Sequence, residues 1–432
     1  MYRPVNIIEV RAWGSTVGAV TLDPGLGFYV FEYDRGWQAR GIEPAPLTMP
    51  LKQAVHVFPL LPENTFMRLP AMLADSIPDD FGNALIDAYL SSKGVGKNSI
   101  TPLDRLAYMG KRGTGALEFR PVRGPRHTKP TAVAIGELVS ASRTALRGTI
   151  GDDRETEAAI MNLIRVGTSA GGARAKAVVA WNPATGQIRS GQLPADEGFE
   201  QWIIKLDGVA DDHLTAPGNT CGRIEYAYSL MAKAAGISMT ECRLLEENGR
   251  AHFMTRRFDR QNGEKLHLQS LCAMRHLDYR LHSTHDYSQY FQTVNALELQ
   301  APALEEAFRR MVFNVLAANC DDHTKNLSFV MDKTGRWTLA PAYDMTHAFN
   351  PDGKWTFQHL MSINRKFRDI ARNDLEAVGD RFMVRDYKSI IRAVAGSVRR
   401  WLEFADAAGL AEQTALRVEK DFSTVPDALR NP

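Results

Sequence analysis

The residues with the clearest chemical potential lie in one short run, 319–326, which reads Asn-Cys-Asp-Asp-His-Thr-Lys-Asn. It places Asp321 five positions before Asn326, and Asp344 follows after two short apolar stretches that predict a hairpin. Kinase-type phosphotransferases supply their chemistry in this order: one Asp accepts the proton of the attacking hydroxyl, and an Asn and a later Asp hold Mg²⁺ against nucleotide phosphates. The pattern therefore predicts Asp321 as a catalytic base, with Asn326 and Asp344 as magnesium ligands.

Each of these residues also has an ordinary structural interpretation. An aspartate beside a helical segment commonly serves as a cap, and Asp344 follows a proline that favours a turn. Asp322 stands one position from Asp321 and is an alternative base, although the spacing favours Asp321. The neighbouring His323 and Lys325 either contact the transferred phosphate, whose charge a cation stabilises in the transition state, or simply support the loop.

A second set of candidates lies in the middle of the chain. Lys205 is a cation within an apolar strand, where it either reaches nucleotide phosphates or snorkels from a strand edge. The glycine-rich loop 167–172, which contains Gly171 and Gly172, either cradles phosphates with backbone N–H groups or forms a hairpin turn. Ser169 lies within this loop, so it would be near a bound nucleotide and is itself a candidate phosphate acceptor.

Length and composition place these candidates in an ordinary globular protein. The chain has 432 residues, too many for one compact core, so we expect two or three domains or lobes. Apolar residues make up 44% and charged residues 24%, which excludes wholesale disorder. The formal net charge of +2 is too balanced for non-specific binding of nucleic acid.

Cysteine usage and the N-terminal sequence bear on location. The four cysteines are scattered without a C-x-x-C pair, which is typical of reduced thiols in the cytosol. His276, His282 and His285 fit no standard zinc spacing, and we assign them to ordinary structure. The first residues lack the features of a signal peptide, and no stretch approaches the roughly 18 apolar residues of a membrane span. We therefore expect a cytoplasmic protein.

Hydrophobic periodicity predicts the layout of secondary structure. Short β-branched and aromatic runs in the first 50 residues indicate strands, and helical spacing follows from Leu69 to Tyr89. Strand patterns return around 177–206, and helices dominate from about residue 285 except for the hairpin after Asn326. We expect an α+β, bilobal, protein-kinase-like fold, with a β-rich N-terminal part and a mostly helical C-terminal lobe.

Three regions follow from this layout. They are a β-rich N-terminal subdomain with helices over 1–120, a region with the glycine-rich loop and Lys205 over 131–265, and a helical lobe with the catalytic loop over 266–432. The basic, proline-rich stretch 121–130 is the expected linker between the first two.

Six segments carry a resemblance to a known family. They are Gly110–Phe119, Ser169 with Gly172–Lys176, Ile203–Leu206, Arg257–Arg260, Asn319–Asn326 and Pro341–Asp344. In order and spacing they resemble HipA-type serine/threonine protein kinases, the toxins of bacterial type II toxin–antitoxin modules. The resemblance extends over nearly the whole chain.

The resemblance implies roles for residues that spacing alone does not assign. Arg257 and Phe258 would lie near the hinge that contacts adenine, and Lys205 would bind ATP phosphates. Ser169 would be the autophosphorylated serine whose modification expels the glycine-rich loop and silences the kinase. Asp321 would be the base, with Asn326 and Asp344 holding Mg²⁺.

The resemblance also implies partners. They are a small HipB-like helix-turn-helix antitoxin, operator DNA bound through it, and a protein substrate such as an aminoacyl-tRNA synthetase, whose phosphorylation arrests growth. Two other functions stay open: a related kinase acting on a small molecule or lipid, and a catalytically weak scaffold that binds an antitoxin and strengthens repression. The joint presence of Asp321, Asn326, Asp344 and Lys205 favours an enzyme over a scaffold.

Overall fold

The chain folds into two compact units. The computed structural model describes residues 3–78, 80–125, 132–147, 163–164, 175–193, 195–209, 220–261 and 263–422. Unit 1 comprises Met1–Asp212, Leu245–Gln269 and Val330–Arg336. Unit 2 comprises His213–Leu244, Ser270–Phe329 and Trp337–Pro432.

A five-stranded antiparallel sheet begins unit 1. Its strands are β1 Ile7–Ala12, β2 Ser15–Asp23, β3 Phe28–Tyr33, β4 Val55–Val57 and β5 Glu118–Arg120, in the order β4-β3-β2-β1-β5. Ile8, Val10 and Ala12 of β1 are buried while Ile7 is exposed, because successive side chains of a strand point to opposite faces. The strands predicted for the first 50 residues are confirmed.

Short helices accompany this sheet. They are α1 Arg35–Gln38, α2 Glu63–Phe66, α3 Ala71–Ala74, α4 Asp80–Ser92 and α5 Pro102–Met109. A capping box begins α5: Asp104 N–H donates to Thr101 Oγ1 at 3.2 Å, and Thr101 N–H donates to Asp104 Oδ2 at 2.9 Å. The other carboxylate oxygen of Asp104 accepts from Val5 N–H at 3.1 Å, so the cap also holds the chain just before β1.

A second five-stranded sheet carries the predicted strand pattern around 177–206. Helix α6, Ile135–Arg147, precedes it in the chain. Its strands are β6 Lys176–Trp181, β7 Ile188–Ser190, β8 Glu200–Lys205, β9 Cys242–Glu247 and β10 Arg250–Arg256, in the order β7-β6-β8-β10-β9. Strand β8 is therefore the middle strand, and its Trp202 and Ile204 are fully buried.

A buried ionic cluster holds the chain after β10. The carboxylate of Asp259 accepts two hydrogen bonds from Arg257, at 2.9 and 2.7 Å, and one from Arg260 at 2.7 Å. Gly115 N–H donates to the same carboxylate at 2.8 Å. Burial disfavours the ionised form, but the two guanidinium groups outweigh it and hold the pKa of Asp259 well below its usual range. The short strands β11 Arg260–Gln261 and β12 Glu264–Lys265 follow.

Unit 2 is mostly helical. Its helices are α7 Cys221–Ala234, α8 Leu271–Arg275, α9 Tyr287–Ala296, α10 Ala301–Leu316, α11 Arg372–Arg381, α12 Tyr387–Val398, α13 Trp401–Ala407 and α14 Glu412–Asp421. Strands β14 His285–Asp286 and β17 Met361–Ser362 pair in parallel. The remaining strands are β13 His267–Ser270 and the hairpin of β15 Ser328–Met331 and β16 Trp337–Leu339, and the residues of β13 and β15 are divided between the two units. The helical C-terminal part and the predicted hairpin are confirmed.

Helix α10 leads directly into the predicted catalytic run. Its face Phe308, Met311, Val312 and Leu316 is buried, as the helical spacing predicts. Tyr228 packs its ring against Phe313, Trp401 and Phe422 and donates its hydroxyl to Ala317 O at 2.5 Å. The core of unit 2 thereby fixes the point at which α10 ends. No helix in the described part of the chain is long and apolar enough to cross a membrane.

Asp259→Asn is expected to lower the free energy of unfolding by about 3–5 kcal/mol, because two arginines lose a buried counter-charge. Urea unfolding followed by tryptophan fluorescence measures the change. Asp196→Asn is the matched control: that carboxylate pairs with Arg189 at 2.9 Å in an exposed position, where such pairs contribute about 0–1 kcal/mol.

The same carboxylate gives a pH dependence. Its pKa is lower in the folded than in the unfolded chain, so its stabilisation is present above the ordinary pKa of 3.8 and is lost as the pH falls through the folded value. The difference in free energy of unfolding between wild type and Asp259→Asn should disappear only in strongly acidic solution. A difference already absent at about pH 5 would contradict this assignment.

Candidate active site

The predicted catalytic run lies between α10 and β15 and is attached to a distant segment of unit 2. After Leu316 the helix ends, and Asn319 N–H donates back to Asn314 O at 2.9 Å. Cys320 N–H donates to Ala348 O at 3.0 Å, and Asn319 and Ala348 form a parallel β-bridge. A single 3₁₀ turn, Thr324–Asn326, then delivers the chain to β15.

Asp321 is the partly exposed acid of the run, with 38% of its side chain accessible. The indole N–H of Trp355 donates to its Oδ1 at 2.7 Å, and Nε2 of His323 lies 3.7 Å from the same oxygen. Burial is the main cause that raises its pKa; His323 and Trp355 oppose the shift, and the carboxylates of Asp344 and Asp322 add to it. A carboxylate with raised proton affinity at an accessible position is suited to general-base chemistry.

Asp322 lies in a different environment. Its side chain is fully buried. Oδ1 accepts from Leu360 N–H at 2.7 Å, while Oδ2 accepts from the Tyr287 hydroxyl at 3.0 Å and lies 2.9 Å from His359 Nδ1. Both oxygens are therefore engaged in holding the loop. Of the two candidate bases, these contacts favour Asp321.

Asn326 and Asp344 both lie near Asp321. The side-chain amide of Asn326 donates to Asp321 O at 2.8 Å, which leaves its Oδ1 to serve as a ligand. Asp344 has a left-handed backbone, with φ of 52°, and its charge contributes to the raised pKa of Asp321. An Asn amide oxygen and an Asp carboxylate are of the chemical type that Mg²⁺ prefers, since it binds oxygen ligands and needs only one or two carboxylates.

Three aromatic residues brace the loop, and sequence reasoning did not select them. Lys325 Nζ lies 5.2 Å from the centre of the Tyr279 ring, and His323 stacks obliquely on the same ring at 5.2 Å. The Tyr343 hydroxyl donates to Lys325 O at 2.8 Å. Trp355 is the third. Tyr343 stands beside Asp344 in a motif segment, whereas no sequence pattern marked Trp355 or Tyr279.

Lys205 is placed by unit 1 in the middle of its second sheet. It is 8% exposed at the end of β8, opposite Lys176 on one side and Phe253 on the other. Its Nζ lies 5.7 Å from the centre of the Phe253 ring. The alternative of a lysine snorkelling from an exposed strand edge does not describe this position. Lys205 is thus a buried cation in a middle strand of the sheet.

The other candidates from the middle of the chain are Arg257, Phe258 and the residues of the glycine-rich loop. The guanidinium of Arg257 is buried and bound to Asp259, so it serves the ionic cluster. Phe258 beside it is half-buried. Ser169, Gly171 and Gly172 lie outside the described residues.

The histidines assigned to ordinary structure have ordinary contacts. His285 Nε2 lies 2.7 Å from Asp278 O, His276 ends α8 in a left-handed conformation, and His282 packs edge-on against Trp355. Across the described ranges no cluster of three or more His, Cys, Asp or Glu side chains is arranged to bind a metal ion.

Comparisons with known proteins bear on both units. The family model of the HipA N-terminal domain matches residues 8–120, and that of the HipA-like C-terminal domain matches residues 168–426. A solved structure from Shewanella oneidensis MR-1, described as a toxin–antitoxin system of HipA, HipB and operator DNA, aligns with a TM-score of 0.67 and 16% identity over 98% of this chain and 99% of that one. This similarity shows the fold and confirms the predicted fold class.

A curated relative covers a smaller part. Y4dM of Sinorhizobium fredii, provisionally described as a kinase, is 25% identical over 200 residues, which is 42% of this chain and 46% of that protein. The match thus spans about half of its length.

Asp321→Asn is expected to raise the midpoint of thermal unfolding at neutral pH, since ionised Asp321 is unfavourable in the folded chain. The folded pKa lies above the ordinary 3.8, so the gain appears as the pH rises from that value through the folded pKa and vanishes below it. Asp322→Asn should do the opposite and cost roughly 1–3 kcal/mol, because buried donors lose their acceptor. Scanning calorimetry of both variants across pH measures this, and shifts of the same sign would refute the distinction between them.

Proposed function

The chain belongs to the HipA family, and from this premise we propose that it is a Mg·ATP-dependent serine/threonine protein kinase, the toxin of a HipA/HipB-like toxin–antitoxin system. The observation that carries the proposal is the arrangement around Asp321. The Asp321 carboxyl has a raised pKa, the Asn326 amide donates to the backbone carbonyl of Asp321, and the Asp344 carboxylate lies near enough to raise that pKa; the three residues follow in the order that phosphotransferases use.

In this proposal Asp321 accepts the proton of a substrate serine or threonine hydroxyl. Its raised pKa increases its affinity for that proton, and the Trp355 N–H fixes the orientation of the carboxylate. The side chain must be ionised to act, and its surroundings pull the pKa of Asp321 in two directions: burial and the neighbouring acids raise it, while His323 and Trp355 lower it.

Asn326 Oδ1 and the Asp344 carboxylate would hold Mg²⁺, which when bound neutralises charge on the nucleotide phosphates. Lys205 would contact the α- and β-phosphates, and Gly171 and Gly172 would cover them with backbone N–H groups. His323 and Lys325 would stabilise charge on the phosphoryl group in flight. Phe258, with the backbone at Arg257, would border the adenine.

Ser169 is the proposed site of self-inactivation. A phosphate adds about −1.5 to −2 charges. Placed in the glycine-rich loop, that charge would repel the nucleotide phosphates and drive the loop from the site. The three-region layout of 1–120, 131–265 and 266–432 belongs to the same proposal.

The proposed partners are a HipB-like antitoxin, operator DNA reached through it, and a cytoplasmic protein substrate with a role in translation, for which an aminoacyl-tRNA synthetase is the candidate. The Shewanella oneidensis HipA occurs in its structure as such a complex, with HipB and operator DNA. The net charge of +2 agrees with DNA contact made through a partner.

The test is the intact mass of the purified, unmodified protein before and after incubation with ATP and Mg²⁺. We expect the mass of one phosphate to be added and to map to Ser169, and to be absent from Asp321→Ala. Asp352→Ala, which removes an exposed aspartate of the same unit, is the matched control and should be phosphorylated like the wild type. Absence of phosphate from wild type, with and without candidate protein substrates, would favour the non-catalytic scaffold.

Trp355→Phe is expected to move the acidic limb of the pH–rate profile to higher pH. The indole N–H lowers the pKa of Asp321, so its loss raises that pKa, and a base needs a higher pH to be ionised. The rate of autophosphorylation, measured across pH at saturating ATP, reports the shift.

Trp13→Phe serves as the control for this substitution. It removes an indole N–H that donates to Lys265 O at 2.7 Å in unit 1, and it should leave the limb in place. A limb that stays unchanged or moves to lower pH in Trp355→Phe would contradict the role given to the indole.

A further inference from the structure

A cysteine, a histidine and an aspartate form a line beside the proposed base. Nε2 of His359 lies 3.9 Å from Sγ of Cys320, and its Nδ1 lies 2.9 Å from Oδ2 of Asp322. All three side chains are buried. A thiol next to an imidazole that a carboxylate holds in place is the arrangement with which proteins produce nucleophilic thiolates.

Hydrogen bonds from neighbouring residues fix the arrangement of these three side chains. Asp322 is fixed by the Tyr287 hydroxyl and the Leu360 N–H, so the carboxylate cannot turn away from His359. Burial alone would lower the pKa of His359, but Cys320 and Asp322 raise it well above its ordinary value. Both neighbours therefore favour the protonated imidazole, which is the state that forms when the thiol proton passes to Nε2 of His359.

A cavity of about 250 Å³ opens onto this line. A water molecule takes up about 30 Å³ in the liquid, so a small molecule has room beside the sulfur. The charged groups that face the cavity are Arg368 and Asp369, and its other lining residues include Cys320, His359, Phe349, Phe357 and Phe367.

We propose that Cys320 is a redox-modified residue whose thiol is oxidised in this cavity by a small hydroperoxide, with His359 as the proton acceptor and Asp322 as its positioning residue. The thiol proton passes to His359 Nε2, and the sulfur attacks one peroxide oxygen. The S–O bond forms as the O–O bond breaks. The leaving alkoxide or hydroxide then takes the proton from His359. Sulfur loses two electrons to give a sulfenic acid, and the hydroperoxide is reduced to an alcohol or to water.

The modification would act on the neighbouring base. Cys320 directly precedes Asp321, and its backbone is tied to Ala348. An oxygen atom on Sγ enlarges the side chain at its contact with His359 and strains the hydrogen bonds of Asp322, which anchor the loop. Oxidation therefore slows phosphoryl transfer. This consequence rests on the proposed function, whereas the reaction at sulfur does not.

The first test measures reactivity without any kinase assay. The full-length protein is exposed to hydrogen peroxide, and catalase then removes the remaining peroxide. The protein is unfolded in the presence of dimedone, which labels sulfenic acids, and peptide mass spectrometry measures the label at each cysteine. We expect Cys320 to be oxidised about tenfold faster than the three other cysteines, which are Cys221, Cys242 and Cys272. All four are buried, so the other three serve as internal standards. Oxidation of Cys320 no faster than theirs would overturn the proposal.

Comparing the oxidation rate of Cys320 in the native and the unfolded chain shows whether the fold makes the thiol more reactive or only covers it. A thiol that is merely covered reacts more slowly in the native protein than in urea. An activated Cys320 should react faster in the native protein than in the unfolded one, and the reverse order would refute the role of the fold.

His359→Gln tests the proton acceptor. We expect it to slow oxidation of Cys320 by about tenfold, although loosening of the cavity would by itself speed the reaction. Circular dichroism and thermal unfolding verify that the variant folds. If it does not fold, the comparison of Cys320 oxidation in the native and the urea-unfolded wild type decides whether the fold activates the thiol. A faster reaction in folded His359→Gln would overturn the assignment.

The regulatory consequence has its own measurement. Peroxide should reduce the rate of autophosphorylation of the wild type, and this loss should be absent from Cys320→Ala, whatever the starting rate of that variant. Oxidation at Cys320 without loss of transfer would refute the effect on the base. An unmodified wild type that transfers no phosphate would count against the proposed function, while the labelling result would still decide the chemistry of Cys320.

Discussion

The candidate site depends on one buried carboxylate, that of Asp322. It binds the Tyr287 hydroxyl, and it also binds the imidazole of His359 and the N–H of the adjacent Leu360; these two segments lie far from each other and from Asp322 in the chain of unit 2. A charge without access to water is tolerated only when donors surround it. Loosening any of these segments would expose an unmet charge, so they hold the loop in one conformation.

Because Asp322 holds the loop in place, the adjacent Asp321 can carry a charge that destabilises the folded chain. Asp321 has a raised pKa because it is partly withdrawn from water and lies near two other carboxylates. Such a group costs stability when ionised, and proteins commonly accept that cost at sites of chemistry. The hydrogen bonds of Asp322 offset it one residue away. Two neighbouring aspartates thus have opposite roles, one stabilising the loop and the other available to react.

Unit 1 has a comparable anchor. The bond from Gly115 to Asp259 joins the segment matched by the N-terminal family domain to the segment matched by the C-terminal one. Because Arg257 and Arg260 both donate to the carboxylate of Asp259, the chain directly after β10 is held in one conformation. The first sheet and the second are therefore connected through a buried ionic contact within this unit.

The sequence by itself determined the type and order of several elements. The helical face of α10, the hairpin after Asn326 and the strands of the first 50 residues follow from apolar periodicity, which is a local property. Tertiary structure decided what depends on distant residues: that Asp322 is an anchor, that Trp355 holds Asp321, that Lys205 lies in a middle strand, and that Arg257 pairs internally. Burial and hydrogen bonding are set by segments far apart in the chain, and spacing within one motif carries no information about them.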